Sequence, residues 1–445
     1  MRNLGTPFAV CVAVITVSGV FTHQSVMAAG FFLSQQSVES SGRGTAGGAA
    51  IAGDASTIFT NPAGLTRLKQ PEMTLGVSII APRTSYKNQG STSATPGTGG
   101  FPVQTPGSNL SNPYEPTPIP NAYFAYPLPG DRVWLGFGVS SPFGIGVRYP
   151  KGWFGRYDAI RQQLRTIDFA PTVAVKVNDY LSIGGGVNIQ YANAKLVNAV
   201  PNPVSAGGPS AATDGRNRLK GDDWSTGFNI GVLVSLSEKT RVGVHYRSRM
   251  DHRLDGDNNT TGLTGPLAGQ NGTVDGSVDL NLPDIVSVAA VHEITPKLSL
   301  LGEFQWFNWS RFREIRAEFD DGRPDAVQRQ NYQDSYAAAI GAAYDWSDEW
   351  TLRGGFRFET TPTRNQYRTT TVPESRNYSL GVGASYAPID RLRIDFSLFG
   401  TIWEDADINL ERDFFADTAL ESQTTIRARA ESQSLTTAIG LRWLF

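Results

Sequence analysis

The chain has 445 residues, 40% of them hydrophobic and 11% aromatic, with 47 glycines and a formal net charge of -2. Lysine plus arginine (39) nearly balance aspartate plus glutamate (41), and no acidic or basic block breaks that balance, so nothing recruits nucleic acid. Length alone suggests two or three soluble domains, but the order of the residues argues against them.

Residues 1–28 read as a secretory signal. Arg2 supplies the positive start, Phe8 to Val20 the apolar run, and Val26-Met27-Ala28 the cleavage site, so the mature chain is expected to begin at Ala29. The apolar run is short of the roughly 18 residues that a membrane-spanning helix needs. Cys11, the sole cysteine, lies inside it. The mature chain is then expected to have no disulfide, no thiolate nucleophile and no cysteine-bound metal.

Residues 29–70 form the next unit. Its centre, Ser40 to Leu65, is rich in Gly, Ala, Ser and Thr, and carries only Arg43 and Asp54 as charges. Neither helical nor strand periodicity persists there. Across residues 71–445 the alternation of strands takes over. About fourteen strands are predicted, an even number within the range of bacterial outer-membrane barrels. The first three start near Glu72, Pro120 and Arg132. Gln163–Val177, Tyr180–Ala194, Trp224–Leu236, Arg241–Met250, Thr273–Glu293 and Lys297–Ile315 follow. Asp334–Trp346, Trp350–Glu359, Arg376–Ala387, Arg391–Trp403 and Thr425–Phe445 complete the series. Around Pro283-Asp284 the alternation fails and the faces cannot be assigned.

Connections alternate in length. Turns such as Leu128-Pro129-Gly130-Asp131, Val177-Asn178-Asp179 and Ser347-Asp348-Glu349 are tight, whereas 82–118, 196–222, 252–272, 316–332 and 405–423 read as long polar loops. Short turns toward the periplasm and long loops toward the exterior are the outer-membrane pattern.

Side chains alternate too. In Lys297–Ile315, Leu298, Leu300, Phe304 and Trp306 oppose Glu303, Gln305, Arg311 and Arg313. In Trp350–Glu359, Leu352, Phe356 and Phe358 oppose Arg353 and Arg357. A charge on a lipid face costs about 2–4 kcal/mol near the midplane, so the charged faces belong to the lumen. Leu441, Trp443 and Phe445 alternate outward and end the chain on an aromatic residue. Fourteen strands enclose more space than their own side chains fill. The small-residue stretch 29–70 suits the role of a plug. The expected fold is all-β: a transmembrane antiparallel β-barrel of about 14 strands with an N-terminal hatch in the lumen.

The third strand points Val133, Leu135, Phe137 and Val139 outward, then meets Ser140-Ser141-Pro142-Phe143-Gly144. Proline removes a ladder donor and glycine weakens pairing, so a kink is expected here; the alternative is a strand end rising into a loop.

Ala29-Gly30-Phe31, the segment from Ser41-Gly42-Arg43-Gly44 to Asp54, Asn61-Pro62-Ala63-Gly64-Leu65, Gly152-Trp153-Phe154-Gly155-Arg156-Tyr157 and the aromatic end carry a resemblance. Over essentially the whole mature chain they resemble the long-chain fatty acid transporter family, FadL type, with its aromatic-hydrocarbon relatives. The resemblance implies capture of a hydrophobic ligand by extracellular loops, transfer to an inner pocket, movement of the hatch, and lateral release at a third-strand kink. On this reading Asn61, Pro62, Ala63 and Gly64 lie against the kink and gate it.

Loop candidates for ligand capture are Trp153, Phe154, Leu164, Leu196, Val197, Leu263, Pro266 and Leu267. Arg156, Arg161 and Arg247 are candidate partners of a carboxylate head, or else lumen charges paired with Asp168 or Glu303. An uncharged hydrocarbon needs no such cation.

Other motifs are set aside. Gly42-Arg43-Gly44-Thr45-Ala46-Gly47 fits G-x-G-x-x-G but lacks the flanking strand and helix of a nucleotide site. His245, His252 and His292 have no metal-ligand spacing, and no cofactor is expected. No G-x-S-x-G elbow occurs. The expected function is passive transport of long-chain fatty acids or related compounds by a non-enzymatic monomer in contact with outer-membrane lipid. The rival readings are a hydrocarbon channel of the same family, a surface adhesin or structural barrel, and an outer-membrane hydrolase, which the lack of a catalytic constellation argues against.

Overall fold

The computed structural model describes residues 30–445; the expected signal sequence, with Cys11 and Ala29, lies outside the described residues. Fourteen strands form one antiparallel sheet that closes on itself. The first five are β1 (Glu72–Asn88), β2 (Thr117–Pro127), β3 (Val133–Ser140, then Gly144–Arg148), β4 (Arg161–Lys176) and β5 (Leu181–Val200). Next come β6 (Gly215–Ser235), β7 (Thr240–Arg247, then Met250–Thr261), β8 (Gly272–Leu282, then Ile285–Thr295) and β9 (Leu298–Phe307, then Glu314–Phe319). The last are β10 (Ala326–Arg329, then Ser335–Asp345), β11 (Trp350–Glu359), β12 (Asn377–Ile389), β13 (Leu392–Trp403, then Ala406–Phe414) and β14 (Ser422–Leu444). Closure runs the full length of β1, from Glu72↔Leu444 to Asn88↔Ala428. Among the described residues no helix is long and apolar enough to cross a membrane.

One end of the barrel carries only short connections, such as 177–180 and 390–391, together with the Phe445 N–H bond to the Pro71 carbonyl (3.0 Å). The other end carries the long ones, including 89–116 and 360–376. Several expected loops are largely strand. β6 begins at Gly215 rather than Trp224, and β13 continues through Ala406–Phe414. Lys220, Asp255 and Glu411 show why: outward residues turn polar above the lipid band, so the apolar alternation vanishes while the ladder continues.

Leu75, Ile79, Phe137, Val187, Ile340 and Leu398 are exposed on the outer face. Ser78, Asn188, Arg357 and Asp395 are buried on the inner one. In β8 the inward residues are Val278, Leu280 and Leu282 above Pro283-Asp284, and Ile285, Ser287, Ala289 and Val291 below. The phase of the strand slips by one residue there, which accounts for the lost alternation. β7 slips likewise at Ser248-Arg249. Arg311 and Arg313 do not join Glu303 in the lumen. The chain leaves the ladder through a 3₁₀ turn at Trp309–Arg311, and Arg311 pairs with Asp251 (3.1 Å).

Residues 30–70 make only short helical turns, at Val38–Gly42, Gly48–Ile51, Thr57–Thr60 and Pro62–Arg67. They lie against inward faces around the ring. A Cβ on Gly355 would fall 1.9 Å from the Arg43 carbonyl oxygen, one on Gly243 would fall 1.8 Å from that of Ala49, and one on Gly231 would fall 1.9 Å from Asn61 Oδ1. Bare backbone on the wall is what lets the segment come this close.

Candidate functional site

The wall is interrupted at β3. Its lower part pairs with both neighbours, β2 (Ala122↔Val139 to Pro127↔Trp134) and β4. Its upper part pairs with β4 alone. Ser140 is opposite Asp168 and Gly144 is opposite Arg165, so four steps on β3 match three on β4. One extra residue in a ladder is a β-bulge, which bends the strand and reverses its faces beyond it. Across the gap, Pro118 to Asn121 of β2 pair with β1 and lie beyond the last ladder pair with β3, Ala122↔Val139. Pro118 and Pro120 remove two ladder donors from that edge. At about 3.3 Å per residue these four residues make the interruption roughly 13 Å tall.

The backbone groups freed by the bulge are met from inside. Leu33 N–H donates to the Pro142 carbonyl (2.8 Å), and Gly144 N–H donates to that of Phe31 (2.9 Å). Gln36 completes the attachment: its Nε2 donates to the Ser141 carbonyl (2.6 Å) and its Oε1 accepts from Ser141 N–H (3.0 Å). On the wall side Thr166 accepts from Phe143 N–H at 3.0 Å and donates to its carbonyl at 2.7 Å. Residues 31–36 thus act as a strap along the bulge.

The strap carries Phe31 and Phe32 into an apolar cluster. Phe31 meets Trp309 (ring centroids 4.8 Å) and Phe312 (5.4 Å), while Phe32 meets Phe143 (5.6 Å) and Phe307 (5.3 Å). Leu164, Met250, Leu254, Val278 and Leu280 line the same cluster from β4, β7 and β8. Polar groups lie beside it. Arg247 Nη1 binds Asp168 Oδ2 (2.8 Å), and its guanidinium lies over the Phe59 ring at 4.4 Å. Asn188 donates to Asp168 as well (2.8 Å).

The structure scatters the residues singled out from the sequence. Of the expected ligand contacts, Leu164 belongs to the apolar cluster and Arg247 borders it. Leu196 shares the inward face of β5 with Ala194, whereas Arg161 and Val197, partners in register, stand on the opposite faces of their strands. Trp153 and Phe154 are buried in a separate cluster with Tyr149, Tyr86 and Trp403; Trp153 lies flat on Tyr149 at 4.0 Å. Arg156 is occupied by Asp214 (2.7 Å), the Pro106 carbonyl (2.8 Å) and the Tyr157 hydroxyl (2.7 Å). Leu263 and Leu267 pack on Val200. A single capture groove built from these residues is not what the loops form, because their aromatics and Arg156 are used in holding the loops together.

Asn61-Pro62-Ala63 does not lie against the kink. Asn61 Nδ2 donates to the carbonyls of Ala49 (2.6 Å) and Val232 (3.1 Å), and Pro62 and Ala63 face Gly184. Gly184, Gly231 and Gly243 on β5, β6 and β7 leave the depth in which this turn sits, while Phe31 to Gln36 lie along the kink. Sequence reasoning missed Phe32, Gln36, Phe307, Trp309 and Phe312. The dense aromatic run Trp306-Phe307-Asn308-Trp309 with Phe312 was the available signal.

Charged groups on the wall hold the segment in place. Arg442 on β14 binds Glu39 (2.7 Å), the Gly53 carbonyl (2.7 Å), Asp54 (3.4 Å) and Asp395 (3.5 Å), and Arg43 also binds Glu39 (2.7 Å). Near the strap, Gly30 N–H donates to Glu374 Oε2 (2.6 Å) from the loop after β11. Burial pushes the Glu374 carboxyl well above its ordinary range, and the neighbouring Glu359 adds to the rise.

A family model described as outer membrane protein transport protein (OMPP1/FadL/TodX) matches residues 19–445. The chain belongs to this family. Members of the OMPP1/FadL/TodX family are outer-membrane transport channels rather than enzymes, and this chain is one of them. Among its relatives, a long-chain fatty acid transport protein of Escherichia coli O6:H1 is 27% identical over 419 residues, 88% of this chain and 90% of that one. A putative outer membrane protein of Neisseria meningitidis serogroup B is 30% identical over 416 residues, 86% of this chain and 87% of that one. The crystal structure of a Pseudomonas aeruginosa FadL homologue superposes with a TM-score of 0.83 at 22% identity, covering 94% of this chain and 100% of that one. The Pseudomonas putida toluene transporter TodX gives 0.68 at 16% identity, covering 93% and 99%. At these identities the structural likeness speaks for the fold.

Proposed function

We propose that the chain carries long-chain fatty acids, or hydrophobic molecules like them, passively through the outer membrane. Residues 29–70 serve as a hatch. Cargo enters from the loop side, binds in the apolar cluster around Phe31 and Phe32, and leaves sideways into lipid past the bulge in β3. The observation that carries this reading is the Pro118–Asn121 edge, outside the β2–β3 ladder and facing the bulge, with the strap and its two phenylalanines directly inside. Each CH₂ moved out of water gains about 0.8 kcal/mol. Release into lipid keeps that gain, whereas release into the periplasm forfeits it. Strap movement, rather than movement of Asn61 to Gly64, is the opening step.

The test is deletion of Pro142, which removes the extra residue and restores one register along β3. Oleate uptake should fall to the level of cells lacking the protein, while heat-modifiable mobility on gels shows an intact barrel. Undiminished uptake in a folded deletion variant refutes lateral release.

An uncharged hydrocarbon is the second reading of the cargo. It is favoured by Arg247, the cation beside the cluster, being already paired with Asp168. Binding of oleate and of toluene to the purified protein separates the two, and binding of neither refutes both.

A further inference from the structure

The outer wall carries a feature that transport through the lumen does not use. Ile167, Tyr191 and Trp224 form one outward row across β4, β5 and β6, with Phe169 stacked beneath Trp224 (6.1 Å) and Tyr191 against it (5.2 Å). Aromatic residues in such a row mark the edge of the lipid band. Above it, on the loop side, the same outward faces turn basic. The next row holds Arg165, the one above it Lys195 and Lys220, and the third Arg148, Arg161 and Arg218.

Counter-charge is sparse. The charges acting on Lys195 most strongly are those of Arg161, Arg218, Arg216 and Lys220. Asp257 from β7 takes Arg218 (3.0 Å) and Lys220 (3.2 Å), and Asp222 and Asp255 face each other one row lower. Arg148, Arg161, Arg165 and Lys195 have no ion pair among the described residues, and Arg165 Nε has no hydrogen-bond partner. By contrast Arg253 on the neighbouring strand is paired with Glu318 (2.8 Å).

We propose that this face binds the phosphate groups of the outer-leaflet glycolipid, lipid A. The patch spans about 14 Å across four strands and about 13 Å over three rows, the scale of a phosphorylated disaccharide. Unpaired arginines suit phosphate oxygens. The acyl chains of the same molecule would lie below, along Ile167, Ile189 and Phe228. The proposal is independent of which cargo the lumen takes.

The test uses the full-length protein in detergent, incubated with bis-phosphorylated lipid A, dephosphorylated lipid A, phosphatidylglycerol or inorganic phosphate, and read by native mass spectrometry. The triple variant Arg165→Ala/Lys195→Ala/Lys220→Ala should weaken retention of phosphorylated lipid A on the order of a hundred-fold, about five-fold for each cation. Arg253→Ala should leave it unchanged. Lys195→Gln alone provides a milder variant should the triple one fail to assemble. Equal retention by wild type and variants overturns the proposal. So does retention of dephosphorylated lipid A, phosphatidylglycerol or inorganic phosphate as strong as that of the phosphorylated glycolipid.

Discussion

The strap should be loosened most cleanly through Gln36. Its side-chain amide makes two bonds to Ser141, at 2.6 and 3.0 Å, and both partners are backbone groups of the bulge. Gln36→Ala removes both, and Ser141, half-buried, can take water instead. At about 1–1.5 kcal/mol net per hydrogen bond the change costs 2–3 kcal/mol. That falls on the docked strap, not on the barrel, whose ladder is untouched. Since about 1.4 kcal/mol is tenfold, the undocked population should rise roughly 30- to 150-fold. Leu33, buried beside Gln36, can report this. With Cys11 replaced by Ser, Leu33→Cys is the only thiol, and its maleimide labelling proceeds through the undocked state. Labelling in the Gln36→Ala background should be faster by that same factor while gel mobility shows a folded barrel. Rates agreeing within about threefold would mean that Gln36 does not hold the strap.

Three further outcomes are expected. Arg442→Met leaves Glu39, Asp54 and Asp395 buried with less compensation, so thermal stability should drop by about 3–5 kcal/mol, and Glu39→Gln in the same chain should recover part of it. Gly355→Val places side-chain atoms where the Arg43 carbonyl sits, so the segment should be displaced and the barrel should conduct ions in planar bilayers, unlike the parent. Glu374 is an acid whose folded value lies above its ordinary 4.5, so the unfolded chain releases this proton first as pH rises. Its contribution to stability is therefore present at low pH and declines from about pH 4.5 upward until the folded carboxyl ionises. Glu374→Gln should flatten that slope in pH-dependent denaturation, and a slope unchanged by the substitution would count against the assignment.

The strands were legible wherever one face meets lipid, as in β11, where Leu352 and Phe356 alternate with Arg353 and Arg357. They were not legible where that contrast ends. The upper part of β6, from Gly215 to Asp223, reads as loop because its outward side chains are Arg216, Arg218, Lys220 and Asp222. Ser140-Ser141-Pro142-Phe143-Gly144 announced the interruption in β3, since the lack of a donor in proline is a local property. What fills the interruption was hidden. Gln36 binds Ser141 across 105 positions of sequence, and no local pattern links an amide to a backbone so distant.

The same limit hides the seat of Asn61 from the sequence. A turn rich in small residues shows that it packs tightly, but the complementary half of the contact lies on the barrel. Gly44 has φ of +66° and its Cβ position lies 2.6 Å from the Gly355 carbonyl carbon; Gly355 in turn has the Arg43 oxygen at its own. Each glycine is required only because of the other. Gly184, Gly231 and Gly243 define the seat of Asn61-Pro62-Ala63 in the same reciprocal way. In a strand read alone, such a glycine looks like a weakness in the ladder. Its purpose appears only when the segment and the wall are brought together, which places the information about the seat in pairs of positions rather than in either stretch.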